Sequence, residues 1–239
     1  KSLRKPPSRL ISQTGIFSGD VQSTYPSSGY LSISFWAKLD HSYADSDYKF
    51  VVEADDNSND NILIINFRNG NIVYRVFQGA GGGSTDNHFE ASVSNPTSWN
   101  HYVLVINIDQ AQTAPTIYIN KNAVSVTKTQ GDRTGNIGQI AGQLSLMGND
   151  TFQTIAELQG SLQEFAFYNT EISAVQALSI YQSIDLTVAS TYKSNIIDYW
   201  RLGEEAEFDS YNYGDSVADG LSFNATIGST VLTIDQNML

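Results

Sequence analysis

The densest group of side chains able to do chemistry is the acidic stretch from residue 55 to residue 61, DDNSNDN. Asp and Asn side chains supply the hard oxygen ligands that Ca²⁺ prefers. The stretch does not fit an EF-hand loop, because Asp60 stands where that loop needs a turn glycine and Asn66 stands where it needs a bidentate Glu. Two interpretations stay open: a calcium-binding loop, or a polar hairpin turn whose Asx side chains bond nearby backbone groups.

Two further residue types suggest chemistry that their context does not support. The glycine run at 79–84, GAGGGS, lacks the Lys-Ser/Thr of a phosphate-binding loop and joins two predicted strands, so we interpret it as a flexible loop. His41, His88 and His101 lack the spacing of a zinc site. We therefore predict surface or strand positions for the three histidines.

Aromatic side chains are the candidates for carbohydrate binding. The chain has 13 Tyr and 3 Trp residues, and most of them alternate at strand spacing, which places them in a core or on a sheet face. Tyr43 and Tyr48 instead flank acidic residues in a predicted loop. These two tyrosines are therefore the predicted glycan-stacking residues.

Composition limits the possible functions. The 239 residues carry a net charge of −12, which disfavours nucleic acid because that binding depends on Lys and Arg at phosphates. No apolar run has the length of a membrane span, so membrane insertion is not expected. The chain has no Cys, which excludes disulfides, thiolate metal sites and a Cys nucleophile.

Charge is unevenly distributed along the chain. Residues 1–14 include a Pro-Pro pair that favours an extended conformation, and seven carboxylates crowd residues 198–219. The first nine positions hold four of the 13 basic residues: Lys1, Arg4, Lys5 and Arg9. Two interpretations stay open for this segment: a basic arm that lies on an acidic neighbour, or a frayed terminus.

The elements that must position these residues are short strands. In residues 99–120, two runs rich in β-branched and aromatic residues alternate at period two around a polar insert at 109–115, which predicts a hairpin with a longer loop. Trp99 is predicted to seal one end of the apolar core. Turn signals such as Asn69-Gly70 separate further runs. Strands are predicted near 31–39, 48–54, 61–67, 71–78, 87–93, 100–108, 116–120, 123–128, 143–147 and 160–168.

One helix is predicted among these strands. Apolar residues at 174, 175, 178 and 181 recur with a helical period within residues 171–181, and Thr170 is placed to cap the first turn. Many short strands with regular turn signals are typical of an all-β sandwich.

Three motifs resemble the laminin-G-like and pentraxin-like group of concanavalin-A-like jelly rolls. Residues 99–120, which begin WNHY and end IYIN, resemble the central hairpin of that group. Residues 32–38, SISFWAK, resemble an early strand, and residues 160–169, GSLQEFAFYN, resemble a late one. The three occur in the family's order, so the resemblance implies a jelly-roll β-sandwich.

The resemblance and the composition together predict three parts of the chain. An extended basic N-terminal arm occupies residues 1–14, the laminin-G-like domain residues 15–185, and a β-rich C-terminal extension residues 186–239. Residues 196–227 resemble a segment that accompanies such domains in predicted structural proteins of marine bacteriophages. Two interpretations stay open: added strands, or a docking element that binds a neighbouring subunit by strand addition or through Trp200.

The resemblance also implies ligands. Asp60 and Asn61 match the pentraxin D-N-E-L sequence, whose first two side chains bind calcium, and Asp150 and Glu157 fall in the place of that family's second acidic loop. No cofactor is expected from the sequence, and calcium is the one candidate that the resemblance offers. Glucanases of the superfamily carry a third carboxylate two or three residues after E-x-D, and residues 53–58, EADDNS, lack it. We therefore expect no enzymatic activity.

These observations predict a non-enzymatic structural protein of a bacteriophage virion, on the capsid surface or in a fibre. Its partners would be copies of itself and other virion proteins, bound through the termini, together with glycans of the host surface. The interface residues would include Lys1, Arg4, Lys5, Arg9 and Trp200. The alternative is a carbohydrate-binding, lectin-like module or adhesin, with or without calcium.

Overall fold

The computed structural model is a sandwich of two antiparallel β-sheets, one with seven strands and one with six. It describes residues 17–20, 24–42, 49–55, 61–76, 86–146, 158–182 and 193–200. The strands are β1 (Phe17–Asp20), β2 (Tyr30–Leu39), β3 (Lys49–Asp55), β4 (Asn61–Arg68), β5 (Asn71–Val76), β6 (Asn87–Ser92), β7 (Asn100–Asn107), β8 (Thr116–Ile119), β9 (Asn122–Val124), β10 (Thr127–Gln130), β11 (Gln143–Leu146), β12 (Gly160–Tyr168) and β13 (Ile196–Trp200). The helical elements are α1 (Ala174–Gln182) and a 3₁₀ turn (Lys193–Asn195).

The strand order combines hairpin pairs with pairs that are distant in sequence, such as β2 with β12 and β3 with β11. The seven-stranded sheet has the order β1-β11-β3-β4-β5-β6-β10, and the six-stranded sheet has the order β13-β12-β2-β7-β8-β9. The predicted all-β sandwich with one short helix is confirmed. Within the described residues, no helix is long and apolar enough to cross a membrane.

Period-two alternation places one side of each strand in the core between the sheets. On β7, Tyr102, Leu104 and Ile106 belong to the main core, whereas Val103 and Val105 belong to a second cluster on the outer side of the six-stranded sheet. The predicted alternation in this strand is confirmed. The predicted hairpin is confirmed too, because β7 pairs with β8 across the polar loop.

The predicted turn at Asn69-Gly70 joins β4 to β5. Both residues have positive φ values, 50° and 72° respectively. Two successive positive φ values are the signature of a type I′ hairpin turn, which Asn-Gly adopts with little strain.

Trp99 does not seal the core, so that prediction is wrong. It lies just before β7 and is only partly buried. Because side chains alternate along this segment, Trp99 lies on the same side as His101 and Val103, which face away from the main core. The buried tryptophan ring in this region is Trp36, which is 3% exposed.

The predicted strand at 123–128 is wrong, because two strands of different sheets occupy that segment. β9 ends at Val124 in the six-stranded sheet, and β10 begins at Thr127 in the seven-stranded sheet. Val124, at the end of β9, and Val126, just before β10, both pack against the core. The alternation of apolar residues therefore continues while the chain passes from one sheet to the other. A periodic pattern in the sequence does not reveal such a change of sheet.

The helix begins three residues later than predicted, and Ser173 caps it in place of Thr170. Gln176 N donates to Ser173 Oγ at 3.4 Å, and Ser173 N donates to Gln176 Oε1 at 2.7 Å, so the two residues form a reciprocal capping box. The carbonyl of Thr170 accepts a hydrogen bond from Ser32 Oγ at 2.6 Å. This bond holds the segment before α1 against β2.

β13 adds a strand to the six-stranded sheet beside β12. Phe165 pairs with Trp200, and Tyr168 pairs with Ile196. Asp198 is fully buried and accepts a hydrogen bond from the hydroxyl of Tyr25, itself 1% exposed. The first five residues of the segment 196–227 therefore follow the added-strand interpretation.

Candidate binding face

The outer surface of the seven-stranded sheet carries polar side chains together with the fully buried apolar residues Ile64 and Val73. The core takes Leu63 and Ile65 of β4, so the alternate residues of this strand and its neighbours face outward. The strand register aligns Glu53, Ile64, Arg75 and His88 across four adjacent strands. We call this outer surface the polar face; its polar residues are Glu53, Asn66, Arg68, Asn71, Arg75, His88, Glu90, Ser92 and Thr129.

Arg75 and His88 form the first hydrogen-bonded group of the polar face. Arg75 Nε donates to His88 Nε2 at 3.0 Å, and Arg75 Nη2 lies 3.7 Å from Asp86 Oδ2. Burial, followed by the nearby Arg75 and Arg68 cations, lowers the pKa of His88 to about 4. His88 is therefore neutral at pH 7, with its proton on Nδ1 because Nε2 accepts a hydrogen bond.

Asp86 lies at the edge of this group. Burial raises the pKa of its carboxyl, and the cations Arg75 and Arg133 partly offset that rise. The ion pair between Asp86 and Arg75 is loose at 3.7 Å, so it orients the guanidinium without a close hydrogen bond at this contact.

Glu90 is the centre of the second hydrogen-bonded group. Asn71 Nδ2 donates to Glu90 Oε2 at 3.1 Å, and Thr129 Oγ1 donates to Glu90 Oε1 at 3.0 Å. Ser92 Oγ donates to Asn71 Oδ1 at 3.1 Å, which extends the network toward solvent. Both oxygens of Glu90 thus receive hydrogen bonds from side chains of neighbouring strands.

Asn66 lies on the same face between these groups. Its backbone pairs with Val73 of β5 and with Phe50 of β3, and its side chain is fully buried. Neither Nδ2 nor Oδ1 of Asn66 has a hydrogen-bond partner in the structure. A buried primary amide with both of its polar groups unpaired is rare in folded proteins.

The outer surface of the six-stranded sheet is closed by α1. The ring of Trp36 lies 5.1 Å from His101 and 5.5 Å from Tyr181 of the helix. Ala177 and Ile180 of α1 are buried in the same outer cluster. Lys121 Nζ lies 5.9 Å from the centre of the Tyr181 ring, at the margin of this cluster.

Most of the site residues predicted from the sequence lie outside the described residues. These are Lys1, Arg4, Lys5, Arg9, Tyr43, Tyr48, Asp60, Asp150 and Glu157. Asn61 begins β4 and Trp200 ends β13, and only their backbone is described. His41 is exposed, and His88 and His101 are buried in strands, so the predicted surface or strand positions of the three histidines are confirmed.

The strand register bears on the predicted calcium residues. Asp55 pairs with Asn61, so the ends of β3 and β4 on either side of residues 56–60 lie next to each other. β11 begins beside this end of β3 and runs away from it, because Leu144 pairs with Ala54 and Leu146 pairs with Val52. In the described part of the chain, no group of three or more His, Asp or Glu side chains has the geometry of a metal site. The calcium site stays a prediction.

The residues of the polar face were missed by sequence reasoning. The sequence does carry a signal for them: Arg75, His88 and Glu90 alternate with core-facing residues along the predicted strands, so they belong to the outer surface. The hydrogen bond from Thr129 to Glu90 joins residues 39 apart in sequence, and no local motif predicts it.

Comparison with solved structures agrees with the observed fold. A heptameric SAP-like pentraxin from Limulus polyphemus is similar with a TM-score of 0.52 at 12% identity, over 74% of this chain and 80% of that chain. The binding domain of botulinum neurotoxin DC in complex with SialylT has a TM-score of 0.45 at 13% identity, over 66% of this chain and 36% of that chain. The binding domain of botulinum neurotoxin serotype D/C VPI 5993 has a TM-score of 0.47 at 15% identity, over 66% and 37%.

Comparison with sequences identifies the family. No curated protein sequence matches the chain. A laminin G family model, described as the concanavalin A-like lectin/glucanases superfamily, matches residues 13–177. The match confirms the resemblance of the three sequence motifs. The chain therefore belongs to the concanavalin A-like lectin/glucanases superfamily, as a domain of the laminin G type.

Proposed function

We propose that the chain is a non-enzymatic, lectin-like protein that binds a carbohydrate on the polar face. The observation that carries this proposal is the contrast between the two outer surfaces: α1 closes one, and fixed polar side chains form the other. Sugars present many hydroxyl groups that both donate and accept hydrogen bonds. An array of oriented donors and acceptors on a rigid sheet suits such a ligand.

The geometry of the carboxylates supports binding rather than hydrolysis. A retaining glycosidase needs two carboxyl groups about 5–5.5 Å apart, and an inverting one about 6.5–9.5 Å apart. Glu53 on β3 and Glu90 on β6 are three strands apart, or about 14 Å at the usual strand spacing. Both oxygens of Glu90 moreover accept hydrogen bonds from Asn71 and Thr129, so its carboxyl is already engaged within the protein.

A glycan array with the purified chain tests this proposal, and charge-matched variants locate the site. We expect Arg75→Ala on the polar face to weaken binding at least tenfold, whereas Lys121→Ala, beside α1, leaves it unchanged. Loss of binding in Lys121→Ala alone would place the ligand on the other sheet. Cleavage of a bound oligosaccharide by the wild-type chain would contradict the non-enzymatic assignment.

Two residue sets named from the sequence complete the proposed carbohydrate site. Tyr43 and Tyr48, between β2 and β3, would stack on the sugar.

The second set would bind calcium. It comprises Asp60, which precedes β4, and Asn61, its first residue, with Asp150 and Glu157. Running the same array in calcium and in chelator tests the second set. Binding that is lost in chelator, and lost in Asp60→Ala, would support the calcium proposal, and binding unchanged by either would end it.

The second proposed role is structural, in the virion of a bacteriophage. It is supported by the resemblance of residues 196–227 and by the position of β13, because this segment starts at the edge strand of the six-stranded sheet. Sheet edges are common sites of strand addition between subunits. The basic residues of the arm and Trp200 would contribute to the assembly, and the chain would reside on the particle surface.

Mass spectrometry of purified virions tests the structural role. We expect the chain to be recovered with the particles and to be lost from them when residues 1–14 and 201–239 are deleted. A deleted chain that still assembles would exclude the termini as the interface. Absence of the full chain from the particles would exclude the virion role and leave the binding proposal standing.

A further inference from the structure

Two hairpin turns of the molecule have the same length and nearly the same backbone conformation. Asn69-Gly70 joins β4 to β5, and Asn120-Lys121 joins β8 to β9. The φ values are 50° and 72° in the first turn, and 49° and 72° in the second. A difference in the chemistry of the two asparagines must therefore come from the residue that follows each one and from the hydrogen bonds that hold it.

Asn120 is held by hydrogen bonds at each of its polar groups. Its backbone N donates to the carbonyl of His101 at 2.8 Å, and its own carbonyl accepts from Asn122 Nδ2 at a longer 3.4 Å. Its side-chain Nδ2 donates to Asn100 Oδ1 at 2.7 Å, and its Oδ1 accepts from the backbone N of His101 at 2.9 Å. These bonds fix both the side-chain amide and the peptide that follows it.

Asn69 lacks these restraints and is exposed. Neither its side chain nor the peptide that joins it to Gly70 makes a hydrogen bond with another residue that the structure describes. This peptide can therefore rotate without breaking a hydrogen bond.

The residue after Asn69 also leaves the turn open to attack. Asn69 is the one asparagine of the chain that a glycine follows. Gly70 has no Cβ to shield its backbone N, and a Cβ placed there would meet nothing within 4 Å. The backbone N of Gly70 is therefore an accessible nucleophile beside the amide of Asn69.

We propose that Asn69-Gly70, unlike the hydrogen-bonded turn Asn120-Lys121, is a self-modification site at which Asn69 converts to aspartate and isoaspartate without an enzyme. The backbone N of Gly70 attacks Cγ of Asn69 and forms a bond to it. The bond from Cγ to Nδ2 breaks, and ammonia leaves with the proton of the Gly70 N–H, which closes a succinimide ring. Water then opens the ring, adding its hydroxyl to a carbonyl carbon and returning a proton to the nitrogen. Attack of water at Cγ gives aspartate, and attack at the main-chain carbonyl carbon gives isoaspartate.

The isoaspartyl product changes one end of the polar face, because it lengthens the main chain of the turn by one carbon atom. The register of β4 and β5 depends on a two-residue turn, since Arg68 pairs directly with Asn71. Asn71 Nδ2 in turn donates to Glu90 Oε2 at 3.1 Å. Isoaspartate at residue 69 therefore weakens the contact between Asn71 and Glu90, whereas aspartate leaves the main chain unchanged.

Incubation of the full chain at mildly acidic and mildly alkaline pH tests the modification. Peptide mapping under acidic conditions, which suppress further deamidation, measures the fraction converted at each asparagine. We expect Asn69 to convert at least tenfold faster than Asn120, with isoaspartate among the products. The rate should rise with pH, because the attacking nitrogen must lose its proton. Equal rates at the two asparagines, or no isoaspartate at residue 69, would overturn the proposal.

Exchange of the second turn residue separates the effect of sequence from that of structure. Gly70→Lys gives the first turn the residue pair of the second, which the φ of Lys121 shows to be compatible with this backbone, and Lys121→Gly does the reverse. We expect Gly70→Lys to slow the conversion of Asn69 at least tenfold. Asn120 should stay slow in Lys121→Gly, because its hydrogen bonds remain. Conversion of Asn120 as fast as that of Asn69 would show that glycine alone decides the rate, and would overturn the structural basis of the proposal.

The effect on the polar face is measured on the isoaspartyl form, separated from the unmodified chain by ion exchange. Its melting temperature should be lower by roughly 2–4 °C, the shift expected when one hydrogen bond is lost in a chain of this size. Asn69→Asp is the matched control, because it carries the same charge on an unchanged main chain and should melt like the wild type. Equal melting temperatures of the isoaspartyl form and Asn69→Asp would overturn the predicted weakening of the turn.

Discussion

The two sheets of the sandwich share a core but differ on their outer surfaces. On the six-stranded sheet, α1 covers a layer in which the rings of Trp36, His101 and Tyr181 lie within 5.1–5.9 Å of one another. The buried hydroxyls of Ser34 and Tyr168 there form a hydrogen bond of 3.0 Å. On the seven-stranded sheet, the outward positions carry hydrogen-bonded polar groups, with the unpaired Asn66 among them.

This difference shows that the outward residues, rather than the fold, decide what each sheet does. Both inner surfaces are apolar in the same alternating pattern, because each must face the shared core. An outer surface has two stable solutions: an apolar layer under another element, or polar groups in contact with solvent and ligand. The six-stranded sheet uses the first, whereas the seven-stranded sheet combines both: its outward Ile64 and Val73 are fully buried, and Ser92 and Thr129 are exposed.

Removing the aromatic layer beneath α1 has the largest expected effect. Trp36→Ala should lower the free energy of unfolding by about 3–5 kcal/mol, because it leaves a large cavity between the sheet and the helix. Urea denaturation measures the change. Val175→Ala, at a position of α1 that is 76% exposed, should change stability by less than about 0.5 kcal/mol. Equal effects of the two substitutions would contradict a helix that packs on Trp36.

Asn87→Ala tests whether paired and unpaired amides of the seven-stranded sheet behave oppositely. The substitution leaves two carbonyl oxygens and one backbone N–H without partners, so we expect a loss of about 2–3 kcal/mol. The same urea titration measures it. Because Asn66→Leu removes an unpaired buried amide and should stabilise the fold, a loss of stability in both variants would remove the distinction between the two residues.

Acidification should weaken the polar face through His88. Its pKa is lowered from 6.5 to about 4 in the folded chain, so the unfolded chain binds more protons between these values. The stabilising contribution of neutral His88 is therefore complete above pH 6.5 and is lost as the pH falls toward 4. Allowing for solvent screening, we expect a contribution of about 1–2 kcal/mol.

Thermal unfolding of the wild type and His88→Gln at several pH values measures this contribution. The variant should lose less stability than the wild type between pH 6.5 and pH 4, while other titrating groups affect both chains equally. Parallel pH profiles would show that His88 does not titrate in this window.

The smallest expected effect is at Glu90. Glu90→Gln removes the charge from both hydrogen bonds but keeps their geometry, because its oxygen accepts from Asn71 and its amide donates to the hydroxyl of Thr129. We therefore expect a loss of about 1 kcal/mol or less. Chemical denaturation is sensitive enough to detect this change. Glu171→Gln removes the same charge from an exposed position near α1 and should have a smaller effect. If the order were reversed, net charge would outweigh the hydrogen bonds of Glu90.

The sequence predicted the strands where alternation and turn chemistry agree. The hairpin of β7 and β8 and the Asn69-Gly70 turn are such cases, because each depends on neighbouring residues. Prediction failed where partners are distant. Between β9 and β10 the chain passes from one sheet to the other without breaking the alternation of apolar residues. The sequence pattern therefore predicted a single strand.

The polar face was less predictable for the same physical reason. Outward parity marks Arg75, His88 and Glu90 as surface residues, but the pairing of β6 with β10 decides that Thr129 reaches Glu90. The unpaired state of Asn66 depends on every group around it, and only the three-dimensional structure shows that none is within hydrogen-bonding distance.

The bond between Tyr25 and Asp198 has a consequence for biosynthesis. It joins residues 173 apart, and β13 adds to a sheet whose next two strands are β12 and β2. During translation, β2 is synthesised long before β12 and β13, so this edge of the sheet forms only after those two strands have left the ribosome. A topology dominated by such distant pairing folds in milliseconds to seconds rather than microseconds, and its incomplete sheet is exposed to chaperones in the meantime.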